Sequence, residues 1–276
     1  TFKTDLTNLD LPMKNKHLLF LALLVVGNFV TSAQDVNLFE KKDLIVAEDT
    51  LRYRILYPEN FDVEKTYPLV LFLHGAGERG NDNEKQLTHG SALFLDQNNR
   101  TKYPAIVIMP QCPTNDYWAQ VDVDRTNYPV HLDFQFKKGP TKAMEMVLQL
   151  LKNYQKESFV NKNQTYAMGL SMGGMGTYEL LARQPDRFAA AIAICGAGDP
   201  AFVSNYAKKI PLWAFHGAHD NVVAPIQSME MVTALLNEGA FPRLTLYDFA
   251  NHNSWDPAFA EPELLPWLFS NTLNKD

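Results

Sequence analysis

The chain has 276 residues, 46% hydrophobic and 12% aromatic, enough to bury the core of one large α/β domain. Charged residues make up 20% and mix both signs, which argues against disorder. The net charge of −6, without a basic run, gives nucleic-acid binding no electrostatic support.

Residues 1–12 precede Met13 and read as upstream sequence. Met13-Lys14-Asn15-Lys16 is a short basic start, Leu18 to Val26 is apolar, and Thr31-Ser32-Ala33 offers a small-residue cleavage site. Together they match a secretory signal peptide over 13–33, and the apolar run is short for a membrane span. The expectation is a secreted or periplasmic single domain over 34–276, with no stable membrane association after cleavage. Losing 1–33 removes three Lys and two Asp and leaves a net charge of −7.

Leu44 to Ala47 and Leu51 to Tyr57 read as a pair of opening strands. Leu69 to Leu73 and Ala105 to Met109 are continuous apolar runs, the pattern of strands buried on both faces of a parallel sheet. Over Thr141 to Tyr154, residues Ala143, Met144, Val147, Leu148 and Leu151 fall on one helical face. Gln164 to Met168 reads as a strand and Gly174 to Arg183 as a helix. Phe188 to Ile194 and Leu212 to Phe215 are further buried strands. Pro225 opens a helix that Gly239 closes, Leu244 to Phe249 is the last strand, and Pro262 to Leu273 a terminal helix. This alternation predicts a doubly wound, mostly parallel α/β sheet with ligands beyond the carboxyl ends of its strands. Cys112 and Cys195 each follow a strand, and the usual order puts two strands between them. At about 4.8 Å per strand the gap is too wide for a disulfide, so two buried free thiols are expected.

Between the predicted strand Gln164 to Met168 and its helix stands Gly169-Leu170-Ser171-Met172-Gly173, a G-x-S-x-G turn. Small residues two before and two after the serine let the strained turn pass its neighbours, leaving the hydroxyl exposed. A serine hydroxyl needs an imidazole to take its proton, and the imidazole needs a carboxylate to hold its tautomer. In α/β-hydrolases these follow in the order Ser, acid, His. Asp220 follows the strand ending at Phe215, and His252 follows the last strand. His216 and His219 compete with His252 but precede the acid. Asp248 lies inside the last predicted strand and Asp256 beyond the histidine, so both fit the order less well than Asp220. His89 and His131 read as ordinary surface residues in loops, and Met172 and Met175 as packing.

The backbone N–H of Met172, next to the nucleophile, is the first expected oxyanion donor. The second comes from the glycine-rich loop His74-Gly75-Ala76-Gly77-Glu78-Arg79-Gly80, with Ala76 N–H first and Gly77 next. His74 is read as a brace for this loop. Glu78 and Arg79 are read as fixing it by pairing with each other or with the segment after it, with a substrate-carboxylate contact the alternative for Arg79. No His/Cys/Asp cluster has ligand spacing, so no metal or cofactor is implied.

With Asn81-Asp82-Asn83 after it, this loop resembles the H-G-x-G-E-R-G-x-D-N segment of a group of secreted esterases and predicted peptidases related to polyhydroxybutyrate depolymerases and feruloyl esterases. Pro110-Gln111-Cys112-Pro113 with Trp118, Gly169 to Gly174, and His252-Asn253-Ser254-Trp255-Asp256 are similar to the same group. The resemblance covers the chain from about residue 50 onward. It implies an α/β-hydrolase fold with Ser171, Asp220 and His252 as triad, and it points to Trp118 and Trp255 near the acyl or alcohol site, core packing being the alternative for each. Ala197 to Ile210 leaves no room for a large lid domain, so the cleft is expected to be open and walled on one side by Tyr117, Trp118 and Tyr128. The reading is a serine carboxylesterase for short-chain or aromatic esters, free or polymer-attached. A peptidase with the same triad, or a non-catalytic binding module on the fold, are the alternatives.

Overall fold

The computed structural model describes residues 35–273, so the signal-peptide expectation lies outside the described residues. The central sheet has eight strands: β1 (Glu40–Val46), β2 (Asp49–Leu56), β3 (Tyr67–Leu73), β4 (Ile106–Pro110), β7 (Val160–Leu170), β8 (Ala190–Ile194), β9 (Leu212–Gly217) and β10 (Arg243–Tyr247). Their spatial order is β1-β2-β4-β3-β7-β8-β9-β10. β1 and β2 pair antiparallel, as do β2 and β4, and every other neighbour is parallel. A separate hairpin of β5 (Val121–Asp124) and β6 (His131–Phe134) folds within the segment read as a loop. Its short strands alternate half-buried and exposed residues, too few for a recognisable period.

Side chains alternate across each strand and build two cores. Leu69, Leu71 and Leu73 face the helices α3 (Lys142–Tyr154), α4 (Met172–Arg183) and α5 (Ile226–Asn237). Val70 and Phe72 face the other side, with α1 (Ser91–Leu95) and α7 (Leu264–Ser270). The helix α2 (Gln97–Lys102) follows α1, and α6 (Trp255–Phe259) precedes α7. The terminal helix is thus shorter than its apolar pattern suggested, and α6 was not anticipated. Thr141 caps α3 by accepting from the Met144 N–H, and Gly239 closes α5 with φ +80°.

Cys112 follows β4 and Cys195 follows β8, with β3 and β7 between them, and both are free, buried thiols. The connection from β8 to β9 contains one short 3-10 turn, Pro200–Asn205, and no lid domain. Among the described residues no helix is long and apolar enough to cross a membrane.

The elbow between β7 and α4 is the tightest point of the fold. Ser171 sits at φ +53°, ψ −118°, a region costly for any residue with a side chain. A Cβ on Gly173 would lie 1.9 Å from the Leu73 carbonyl oxygen, and one on Gly169 would lie 2.2 Å from the Gly173 oxygen. Gly173→Ala should therefore cost on the order of 4 kcal/mol or more, lowering Tm by more than about 8 °C. Gly77→Ala is the control, because a Cβ there meets nothing within 4 Å. A thermal melt of both variants checks the contrast.

Candidate active site

Four strand ends converge on one edge of the sheet. Ser171 leaves β7, the glycine-rich loop leaves β3, Asp220 follows β9 and His252 follows β10. Ser171 Oγ lies 3.0 Å from His252 Nε2, and His252 Nδ1 lies 2.8 Å from Asp220 Oδ2. A carboxylate can only accept, so Nδ1 carries the hydrogen and Nε2 is left to accept from the serine hydroxyl. Ser171 N donates to the Ile194 carbonyl, fixing the turn against β8.

Asp220 is buried and fully occupied. Its Oδ1 accepts from the N–H groups of Val222 and Val223, and its Oδ2 accepts from His252 and His216. Burial alone would raise its pKa. The hydrogen bonds from His216 and His252 outweigh that and hold the carboxyl well below its ordinary range. His216 is itself fully buried, with Nε2 also 3.0 Å from the Val223 carbonyl and Nδ1 2.7 Å from Ser228 Oγ. It thus shares Oδ2 with His252 and steadies the carboxylate. Sequence reasoning weighed it only as a rival base; its place two residues before the acid's loop was the available signal. His219, Asp248 and Asp256 are exposed and lie outside this array.

The structure also assembles a cluster that spacing did not reveal. Ligand atoms of Cys195, Asp220 and His252 lie within 4.8 Å of one another, brought from three separate strand ends. Burial pushes the Cys195 thiol far up, so it stays protonated and is a poor cation ligand. The Asp220 and His252 atoms are already engaged in hydrogen bonds.

The loop after β3 is pinned by the Pro110-Gln111-Cys112 segment. His74 Nε2 accepts from the Cys112 N–H at 3.0 Å, so its Nδ1 carries the hydrogen and donates to the Gly75 carbonyl. The Gln111 side chain accepts from Asn83 N and donates to Asp82 and the Glu78 carbonyl. Gly80 N donates to the Cys112 carbonyl. Ala76 opens a 3-10 turn and Met172 opens α4, so neither N–H has an acceptor within its own helix. Ala76, Gly77 and Ser171 all border a cleft of about 240 Å³, together with Gly75, Glu78, His89, Tyr117, Arg125, Val130, Val222, His252 and Trp255.

Two expected substrate contacts fall elsewhere. Trp118 is fully buried: its Nε1 donates to the His74 carbonyl and its ring meets His74 edge-on, beneath the site rather than in it. Arg79 turns away from the cleft, donating to the carbonyls of Ala76, Thr114 and Asp116 and covering the Tyr117 ring. It fixes the loop, but not through Glu78. His89, expected to be an ordinary surface residue, lines the cleft against Trp255 with ring centroids 5.0 Å apart. His131 opens β6 and is exposed, and Tyr128 is 61% exposed and does not line the cleft. Met172 and Met175 are buried, and Met175 also borders the cleft.

The fold defines an α/β-hydrolase. The chain belongs to the phospholipase/carboxylesterase family, an ester-hydrolase family whose pattern matches residues 62–260. It is similar to a thermostable esterase of known structure, at 33% identity and TM-score 0.76, over 86% of this chain and 64% of that one. It is 30% identical, over 83 residues, to a bifunctional acetylxylan esterase/xylanase of Neocallimastix patriciarum, covering 30% of this chain and 12% of that enzyme. A ferulic acid esterase shares the fold at TM-score 0.59 and 18% identity, over 83% of this chain and 97% of that one.

Burial holds His74 neutral, with its pKa lowered to about 4. The unfolded chain takes up this proton near pH 6.5, so the contribution is present above that pH and lost as pH falls through about 4. Wild-type stability should fall by roughly 3 kcal/mol from this group between pH 6.5 and 4. His74→Gln, which cannot titrate, should show a shallower fall in urea unfolding over the same range.

Proposed function

We propose that the protein is a secreted serine carboxylesterase for short-chain or aromatic acids, including acids carried on carbohydrate polymers. The observation that carries this reading is the unbroken line from Ser171 Oγ to His252 to Asp220, opening directly on the cleft. Ser171 attacks the ester carbonyl while His252 Nε2 takes its proton. Asp220 holds the tautomer and balances the imidazolium. The N–H groups of Met172 and Ala76 receive the developing oxyanion, and His252 returns the proton to the departing alcohol. Water, activated by the same imidazole, then releases the acyl group.

The esterase and acetylxylan esterase relatives support ester chemistry and a polysaccharide setting. Tyr117 on the cleft wall supports tolerance of an aromatic acid.

Ser171→Ala should lower kcat by several orders of magnitude with the melting curve little changed. Hydrolysis of nitrophenyl acetate and methyl ferulate, beside peptide anilides, tests the assignment. Activity retained in a folded variant would move the nucleophile elsewhere, and faster anilide cleavage would favour a peptidase.

Burial stabilises a long acyl chain by about 0.8 kcal/mol per CH₂ only where something covers it. The short β8–β9 connection supplies no cover. Acetyl and butyryl esters should therefore be cleaved faster than decanoyl or longer esters in a chain-length series.

A further inference from the structure

Glu78 is a carboxylate without an evident task. Its side chain is 13% exposed and lies in the wall of the cleft that holds Ser171. Its Oε2 comes within 2.9 Å of where a Cβ on Gly75 would stand, a point itself 3.7 Å from Ser171 Cβ. A negative charge this close to a developing oxyanion works against the reaction. It is not consumed by the fold: among the described residues the one basic side chain within 4 Å of it is His89, whose Nε2 lies 3.7 Å away, beyond hydrogen-bond distance. His89 packs on Trp255 at 5.0 Å, and Trp255 packs edge-on against His252 at 5.6 Å. Trp255 Nε1 is buried with no acceptor. Glu78, His89 and Trp255 thus form one continuous wall ending at the imidazole.

That position decides which half of the substrate meets the wall. His252 Nε2 must deliver its proton to the leaving oxygen, so the alcohol half departs on the His252 side. We propose that Glu78, with His89 and Trp255, forms a subsite for the alcohol half of the ester and selects an alcohol rich in hydroxyl groups, such as a sugar ring. This rests on the esterase reading above. The carboxylate accepts a substrate O–H, the charge-assisted kind of hydrogen bond that is strong when shielded from water. The Trp255 ring offers the apolar C–H face of a sugar something to lie against. An ammonium group would also suit a lone carboxylate, but Arg125 lines the same cleft and offsets the negative field.

The test compares three acetates that form the same acyl-enzyme: a xylose acetate, O-acetylethanolamine with its ammonium, and 4-nitrophenyl acetate. The readout is the kcat/KM ratio of the sugar acetate to the nitrophenyl ester, in wild type and Glu78→Gln. We expect that ratio to fall at least tenfold in the variant. His89→Ala, which should lower it in the same direction, serves if Glu78→Gln does not fold. A ratio unchanged within twofold would reduce Glu78 to a brace of the oxyanion loop and overturn the subsite. A larger loss on the ammonium ester than on the sugar acetate would overturn the hydroxyl assignment. Wild type that cleaves the nitrophenyl ester but not the sugar acetate would end the subsite inference and leave the esterase reading standing. Failure on all three, with Ser171 unreactive to a fluorophosphonate, would end both.

Discussion

The site depends on how closely the start of α4 passes the end of β3. At Gly173 there is no space for a side chain against the Leu73 carbonyl. This contact brings the start of α4 beside the loop after β3, and Ser171, two residues earlier, turns at positive φ. The same compression repeats one layer out, where a Cβ on Gly217 would lie 2.1 Å from the Asn251 oxygen. That contact draws the end of β9 against the loop carrying His252. Steric tightness, more than any single hydrogen bond, sets the distances along Ser171, His252 and Asp220.

Polar wiring then holds what packing has brought close. Asp220 receives four donors, two from backbone and two from imidazoles, so its carboxylate has no freedom to rotate or to protonate. The loop after β3 is held the same way by Gln111, Cys112 and His74, with Trp118 beneath it. Two stretches that resemble a family in sequence, His74 to Asn83 and Pro110 to Trp118, are therefore one structural unit. Trp118 belongs to that unit as a support, which is why an aromatic residue there carries no information about substrate. Truncating so buried a tryptophan removes roughly 3–5 kcal/mol of packing.

The cleft takes its walls from elements with little else in common. The hairpin β5–β6 brings Arg125 and Val130, held by Val130 N donating to the Val222 carbonyl in the acid's loop. The opposite wall comes from the loop after β3, from His89 and from the start of α6. One wall thus comes with the hairpin and the other with the loop after β3 and the start of α6, so the two sides of the cleft are built by separate stretches of chain.

Much of this was legible in the residues. Continuous apolar runs mark strands buried on both faces, because a parallel sheet leaves them no wet side. The G-x-S-x-G turn with an acid and a histidine after later strands suffices to nominate Ser171, Asp220 and His252, since chain order and strand ends are one-dimensional properties. The partners that support these three from other parts of the chain were not legible. His216 as second imidazole on Asp220, the Cys195 thiol beside the pair, and His89 against Trp255 are set by sheet order and loop path, which no local spacing encodes. Burial likewise belongs to the tertiary structure: Trp118 and Trp255 look alike in sequence, and only packing sends one beneath the loop and the other into the cleft.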